Sequence, residues 1–174
     1  MPIRHITIHC SLLLAFVALS FSSDMAHRSQ EDDIREALFR YQFEHNASAQ
    51  QQTAHDYYLA VGEEGADPSD EFMRRFADHK PLVHKASACR IKPSTGEVVN
   101  KRNGKPGLRF RQGTITWVSA IEVTVWGGYD EANVSSSGNT YTLKRQNGRW
   151  YVTEDKMEVI SMNRHNEDGA DAAT

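Results

Sequence analysis

The run Val125-Trp126-Gly127-Gly128-Tyr129-Asp130-Glu131 is where the chain comes closest to a reactive constellation. An aspartate in an apolar pocket can act as a general base, and a tyrosine hydroxyl can donate to a developing oxyanion. In a regular strand Tyr129 and Asp130 point to opposite faces. Only a bulge at Gly127-Gly128 brings them together, and glycines inside a strand often mark a bulge or a sharp bend. The expectation is that the glycines curl the sheet there. Tyr129 and Asp130 are the candidates for catalysis, and a rim aromatic beside a solvated strand end is the plain alternative.

Other chemistries have less to stand on. Lys92, Lys101, Arg102, Lys105, Arg109 and Arg111 form the one basic cluster, within and just after a Gly/Pro-punctuated stretch. Lys101, Arg102, Lys105, Arg109 and Arg111 are candidates for binding an anion. The stretch lacks the aromatics on which single-stranded nucleic acids stack. Trp126, Tyr141 and Trp150 are aromatics for a pocket or an interface. By alternation Trp126 shares a face with Thr124 and Glu122, whereas Trp117 points inward with Ile115. The histidines show no HExxH pair, and a metal site needs three or four converging ligands, so neither metal nor cofactor is expected. Ser135-Ser136-Ser137-Gly138 lacks the G-x-S-x-G elbow and reads as turn chemistry. Asn46-Ala47-Ser48 and Asn133-Val134-Ser135 fit the glycosylation pattern, which matters in a eukaryotic source.

These residues are carried on a chain of 174 residues, enough for one domain. Arg4 followed by the apolar run Ser11–Phe21 and small residues reads as a signal peptide over 1–22. That run is shorter than the roughly 20 residues a membrane span needs. Cys10 precedes it, so Cys10 is not a lipidated cysteine. With 20 basic and 23 acidic residues the net charge is −3, and losing Arg4 makes it −4. A mildly acidic exported domain is not built for nucleic acid. Once Cys10 is removed, Cys89 stands alone and closes no internal disulfide, so packing must hold the fold. It reads as a small buried apolar side chain.

The elements follow from periodicity. Residues 23–30 are a polar, flexible lead-in. Ile34, Ala37, Leu38, Tyr41 and His45 lie at helical spacing behind Glu31-Asp32-Asp33, which predicts a helix over 31–45. Asp56–Val61 is a strand candidate. Asp67 as a cap followed by Pro68 predicts a short helix over 68–77 with Phe72, Met73 and Phe76 inward. An extended piece runs from Lys80 to Cys89, and residues 92–107 read as loop. From Leu108 onward the chain alternates as β: Leu108 and Phe110 against Arg109 and Arg111, then a reversal at Ser119-Ala120. Ile121, Val123 and Val125 share a face. Asn147-Gly148 is a hairpin signature, and the strand after it continues to about 161. The tail 162–174 is polar and disordered in expectation. Residues 31–161 are thus read as a single α+β domain, with N-terminal helices packed on a curved antiparallel β-meander.

That order of elements, closing on "LKRQNGRWYV", resembles the cone-shaped fold of the nuclear-transport-factor-like superfamily, which includes ketosteroid isomerase. The run "GGYDEANVSSSGNTYTLKRQNGRWYV", with "DPSDEFMRRFADHKP" upstream, is also similar to small secreted proteins of unassigned role. The resemblance implies a small-molecule pocket in the open end of the cone, and a homodimer formed through the sheet. It does not by itself license a reaction. With no motif supplying a nucleophile, an oriented base or a metal set, the expected role is that of a secreted or periplasmic, non-catalytic module. It binds a small molecule or a protein, and touches neither nucleic acid nor, after leader removal, membrane. The alternative is an isomerase- or dehydratase-type enzyme using Tyr129 and Asp130.

Overall fold

The computed structural model describes residues 27–45, 54–130 and 136–158. The signal peptide, residues 23–26 of the lead-in, Asn46, Glu131, Asn133, Ser135, residues 159–161 and the tail lie outside the described residues. Helix α1 spans 27–45, so it starts inside the stretch expected to be a flexible lead-in. No proline or glycine interrupts it, and Arg40–Glu36 (2.8 Å) and Arg35–Glu31 (3.9 Å) pair at i, i+4.

Strand β1 (Asp56–Val61) follows, then α2 (Asp70–Arg74), β2 (Leu82–Lys85), β3 (Cys89–Ile91) and β4 (Val98–Asn100). The long strands β5 (Gly107–Ser119), β6 (Glu122–Asp130), β7 (Ser136–Gln146) and β8 (Arg149–Glu158) complete the chain. Six strands form one sheet in the order β2-β1-β5-β6-β7-β8, and β3 pairs with β4 apart from it. The sheet is mixed, a correction to the purely antiparallel meander: β1 runs parallel to both β2 and β5. Parallel neighbours need a crossover, and α2 lies in the one between β1 and β2. Alternation reveals a strand's two faces but not its direction, so the sequence pattern could not distinguish the two arrangements.

Three boundaries also differ from expectation. Helix α2 is shorter than 68–77, and its cap is Ser69, whose Oγ accepts from the Phe72 amide at 3.1 Å. Asp67 instead accepts from the Ser87 amide at 2.8 Å. Strand β4, Val98-Val99-Asn100, lies in the stretch read as loop, and all three of its residues are buried. Ile121 sits in the β5–β6 turn and is 59% exposed, so it leaves the face of Val123 and Val125. Asn147-Gly148 does close the β7–β8 hairpin, with φ of 50° and 81° as a two-residue turn with both central φ positive requires.

One face of the sheet, here the inner face, carries the core. Ile34 and Leu38 of α1 pack on Ile115, Val123, Val125, Tyr141, Leu143 and Trp150. One step round the same helix, Phe39 and Phe43 pack on Tyr57, Leu59, Leu108 and Phe110, together with Phe72 and Phe76. Two buried glutamines also join α1 to β5: Gln112 Nε2 donates to the Arg35 carbonyl at 2.9 Å, and Gln42 Nε2, from the helix, reaches the Arg111 carbonyl at 3.5 Å. Arg75 at the end of α2 ties to α1 through Asp33 (2.7 Å) and Glu36 (3.0 Å). On the outer face Tyr58, Cys89 and Val98 make a smaller cluster beneath β3 and β4.

The glycines at 127 and 128 do not form the bulge. They pair in register with Gln112 and Arg111, and the irregularity lies on β5 between Gln112 and Ile115. Gly127 faces α1, where an added Cβ would stand 2.7 Å from Gln42 Nε2 and 3.0 Å from a Tyr141 ring carbon. Gly107 is tighter still: its Cβ would lie 2.6 Å from the Asp56 carbonyl oxygen and 2.6 Å from the Tyr58 ring. Backbone cannot move aside as a glutamine amide can. Gly107→Ala is therefore expected to cost about 2–3 kcal/mol and Gly127→Ala about 1 kcal/mol, within the range for overpacked sites. Urea denaturation of the two variants side by side checks both the sizes and their order.

Candidate binding groove on the outer face of the sheet

Alternation along β5, β6 and β7 sends one set of side chains to the outer face, and register stacks that set in rows. Arg109 stands opposite Asp130. The next row is Arg111, Gly128 and Gly138. Beyond the bulge come Trp126 opposite Thr140, then Thr116, Thr124 and Thr142 in line across three strands.

Asp130 is the hinge of the first two rows. Its Oδ2 accepts from Arg109 Nε at 2.6 Å, and its Oδ1 lies 3.1 Å from an Arg111 Nη. With no side chain at Gly128 or Gly138, the Arg111 guanidinium lies across the row onto Trp126, 4.9 Å from the ring centroid. That is cation–π distance. Among the described residues the buried Arg111 Nε donates no hydrogen bond, so the stack and the aspartate are what hold the group. The turn after β1 forms a wall: Gly62, Glu63 and Gly65 face Arg111, Gly113, Trp126 and the threonines across a groove of about 600 Å³. Glu63 accepts from the Thr114 hydroxyl at 3.1 Å.

The expected catalytic pair is split. Tyr129 lies on the inner face against Phe110, with ring centroids 6.5 Å apart, and Asp130 lies on the outer face between two arginines. Because the bulge is on β5 and not at the glycines, nothing turns the two toward each other. The basic cluster divides as well. Arg109 and Arg111 belong to the sheet, whereas Lys101, Arg102 and Lys105 sit exposed on the turn before β5. Asn100 and Asn103 shape that turn by accepting from the amides of Arg102 and Lys105, and Lys101 Nζ donates to the Ser87 carbonyl. Of the three aromatics, Trp126 reaches the groove, while Tyr141 and Trp150 are buried in the core under α1.

Two polar clusters had no signal in the sequence, because their members are far apart along it. Buried Asp56 on β1 gathers Asn100 Nδ2 (3.0 Å), His84 Nε2 (3.1 Å) and the Tyr58 hydroxyl (3.4 Å), joining β1, β2 and β4. On the inner face Asp155 accepts from Asn139 Nδ2 and from the Tyr41 hydroxyl (3.4 Å), beside Tyr141, whose hydroxyl is hydrogen-bonded to Gln42. Burial, and then the nearby carboxylates, push the Tyr58 and Tyr141 hydroxyls far above the usual phenol range. Burial also pushes the Cys89 thiol up, and its Sγ donates to the Ala86 carbonyl at 3.2 Å. Such a thiol is not an activated nucleophile.

A second concavity, of about 490 Å³, opens between the start of α1 and the turn before α2, where Arg28 and Arg35 face Glu31, Asp32, Asp67 and Glu71. Burial raises the Asp32 carboxyl above its ordinary range despite Arg75 and Arg35 nearby. Among the described residues no group of three or more histidine, cysteine or acidic side chains is placed to hold a metal ion, and no helix is long and apolar enough to cross a membrane. No protein-family model, curated protein or solved structure matches the chain.

The raised phenols set an alkaline limit. A group whose folded pKa lies above its unfolded value contributes stability below the unfolded pKa and loses it as pH rises beyond that point. Stability should therefore fall from about pH 10, the ordinary phenol value, upward. Phenolate absorbance should rise in two steps, with Tyr58 and Tyr141 ionising only as the chain unfolds. Tyr141→Phe should shrink the second step.

Proposed function

We propose that the chain is an exported, non-catalytic binding module of the nuclear-transport-factor-like cone kind, holding a small molecule in the groove beside Trp126. The observation that carries the reading is the Arg111–Trp126 stack. An arginine paired with Asp130 lies 4.9 Å from the Trp126 ring centroid on the floor of an open groove, on a sheet face that neither helix covers. Groove size is in keeping, since sites for small molecules run to roughly 300–1,000 Å³. The split of Tyr129 from Asp130, and the double arginine pairing of Asp130, weigh against a base at that position. The single helix α1 across the inner face of a bulged sheet supports the cone reading. The leader-like run of residues 11–21 supports export.

A rival reading keeps enzyme chemistry of the isomerase or dehydratase type but moves it. The observation in its favour is the inner-face group of Tyr41, Tyr141 and Asp155, where a buried hydroxyl adjoins a carboxylate.

Native mass spectrometry of the chain recovered from the exported fraction separates the two. The module reading expects a mass lacking about the first 22 residues and a small-molecule adduct that Trp126→Ala loses and Asp155→Asn keeps. An adduct with the opposite dependence, or one chemically altered by wild type and not by Asp155→Asn, sinks it.

A further inference from the structure

We infer that the groove beside Trp126 takes a neutral oligosaccharide, a deepening that rests on the binding-module reading above. The argument is the chemistry of the lining. Its large apolar side chain is one half-buried indole, held at its place by Arg111 at 4.9 Å. A lipid or a steroid needs wide aliphatic walls to leave water, and Trp126 alone does not provide them. A pyranose needs only one apolar surface, for its C–H face, with hydroxyl partners around the rim.

The rim is made of hydroxyls. Thr116 and Thr124 face each other across β5 and β6 in register, on the groove floor, and among the described residues neither side-chain hydroxyl has a hydrogen-bond partner. Each hydroxyl both donates and accepts, which matches the double character of a sugar hydroxyl. Thr142 continues the row on β7, about 4.8 Å further on by strand spacing and beyond the groove, with its hydroxyl donated to Glu154 at 3.3 Å. Thr140, next to Trp126, also lines the groove, with its hydroxyl donated to Glu158.

The lining carries one charge of each sign, Arg111 and Glu63. Arg111 is paired with Asp130, and Glu63 accepts from Thr114. A strongly anionic ligand would compete with Asp130 for the arginine and meet the Glu63 carboxylate, and a cation would meet the Arg111 guanidinium. A neutral ligand disturbs neither pair. Gly62, Gly65 and Gly113 line the same space without side chains, so the ligand can approach the backbone closely.

The test is a tryptophan-emission titration of the full mature chain with maltotriose, cellotriose and the trimer of N-acetylglucosamine. Trp117 and Trp150 pack together at the core with ring centroids 5.7 Å apart, so Trp126 is the residue that reports. A saturable change with at least one trisaccharide is expected. The double variant Thr116→Val/Thr124→Val, which keeps side-chain shape, should weaken it tenfold or more with unchanged Tm. Trp126→Ala should abolish binding, read by calorimetry.

Four results would overturn the inference. One is no saturable response to any of the three sugars. Another is binding that the double variant leaves intact. The third is a chain whose sedimentation shows a dimer that Thr124→Arg dissociates, which makes a second copy the occupant. A non-sugar adduct in the native mass spectrum, lost in Trp126→Ala, would remove the sugar and leave the module standing.

Discussion

The close approach of α1 to the sheet at Gly127 is the constraint on which the other packing depends. Gln42 rests where a side chain at 127 would be, and Tyr141 closes the same spot from β7. With the helix at that depth, two successive apolar stripes reach the sheet together. Ile34 and Leu38 meet the β6–β8 side, and Phe39 and Phe43 meet β1 and β5. A helix held further out would leave the buried glutamines without their carbonyls and open voids under both stripes, each costly in a close-packed interior.

The second organising device is polar. Asp56 begins β1 and collects donors from β2, from β4 and from its own strand. This anchors the parallel side of the sheet, where Gly107 lets β5 pass directly over the Asp56 backbone. A buried carboxylate with three hydrogen-bond donors is acceptable where an unpaired one is not. The small outer cluster of Tyr58, Cys89 and Val98 then covers that end of the sheet. Among the described residues, what remains open on the outer face is the stretch with the arginine–tryptophan stack and the threonine row.

Asp130 shows how one pairing redirects a functional reading. In sequence it adjoins a tyrosine after two glycines and suggests acid–base chemistry. In the fold its two oxygens are committed to Arg109 and Arg111 across the strand pair, and its role is to position Arg111. Gly128 and Gly138 serve the same end by leaving the row clear. The glycine pair thus serves both faces: Gly127 admits the helix, and Gly128 makes room for the guanidinium.

Much was legible in the sequence because it is set by neighbours in the chain. One side of α1 (Ile34, Ala37, Leu38 and Tyr41), the bounds of β1, the alternation of Leu108 to Arg111, the Asn147-Gly148 turn and the outward side of Trp126 all follow from local periodicity and backbone preference. His45, read on that side of α1, is instead exposed, and Phe39 and Phe43 form a second side that the spacing did not single out. The burial of Cys89 was legible too, as the ordinary state of a lone thiol. Tertiary structure alone decided the rest. Strand direction, the short strand β4 and the bulge at Gly113-Thr114 depend on pairing between segments far apart in sequence. So do the Asp56 network and the Arg111–Trp126 stack, since their distances are set by register across strands and not by spacing along one. Periodicity says which face a side chain takes; which partner it meets there is a property of the assembled sheet.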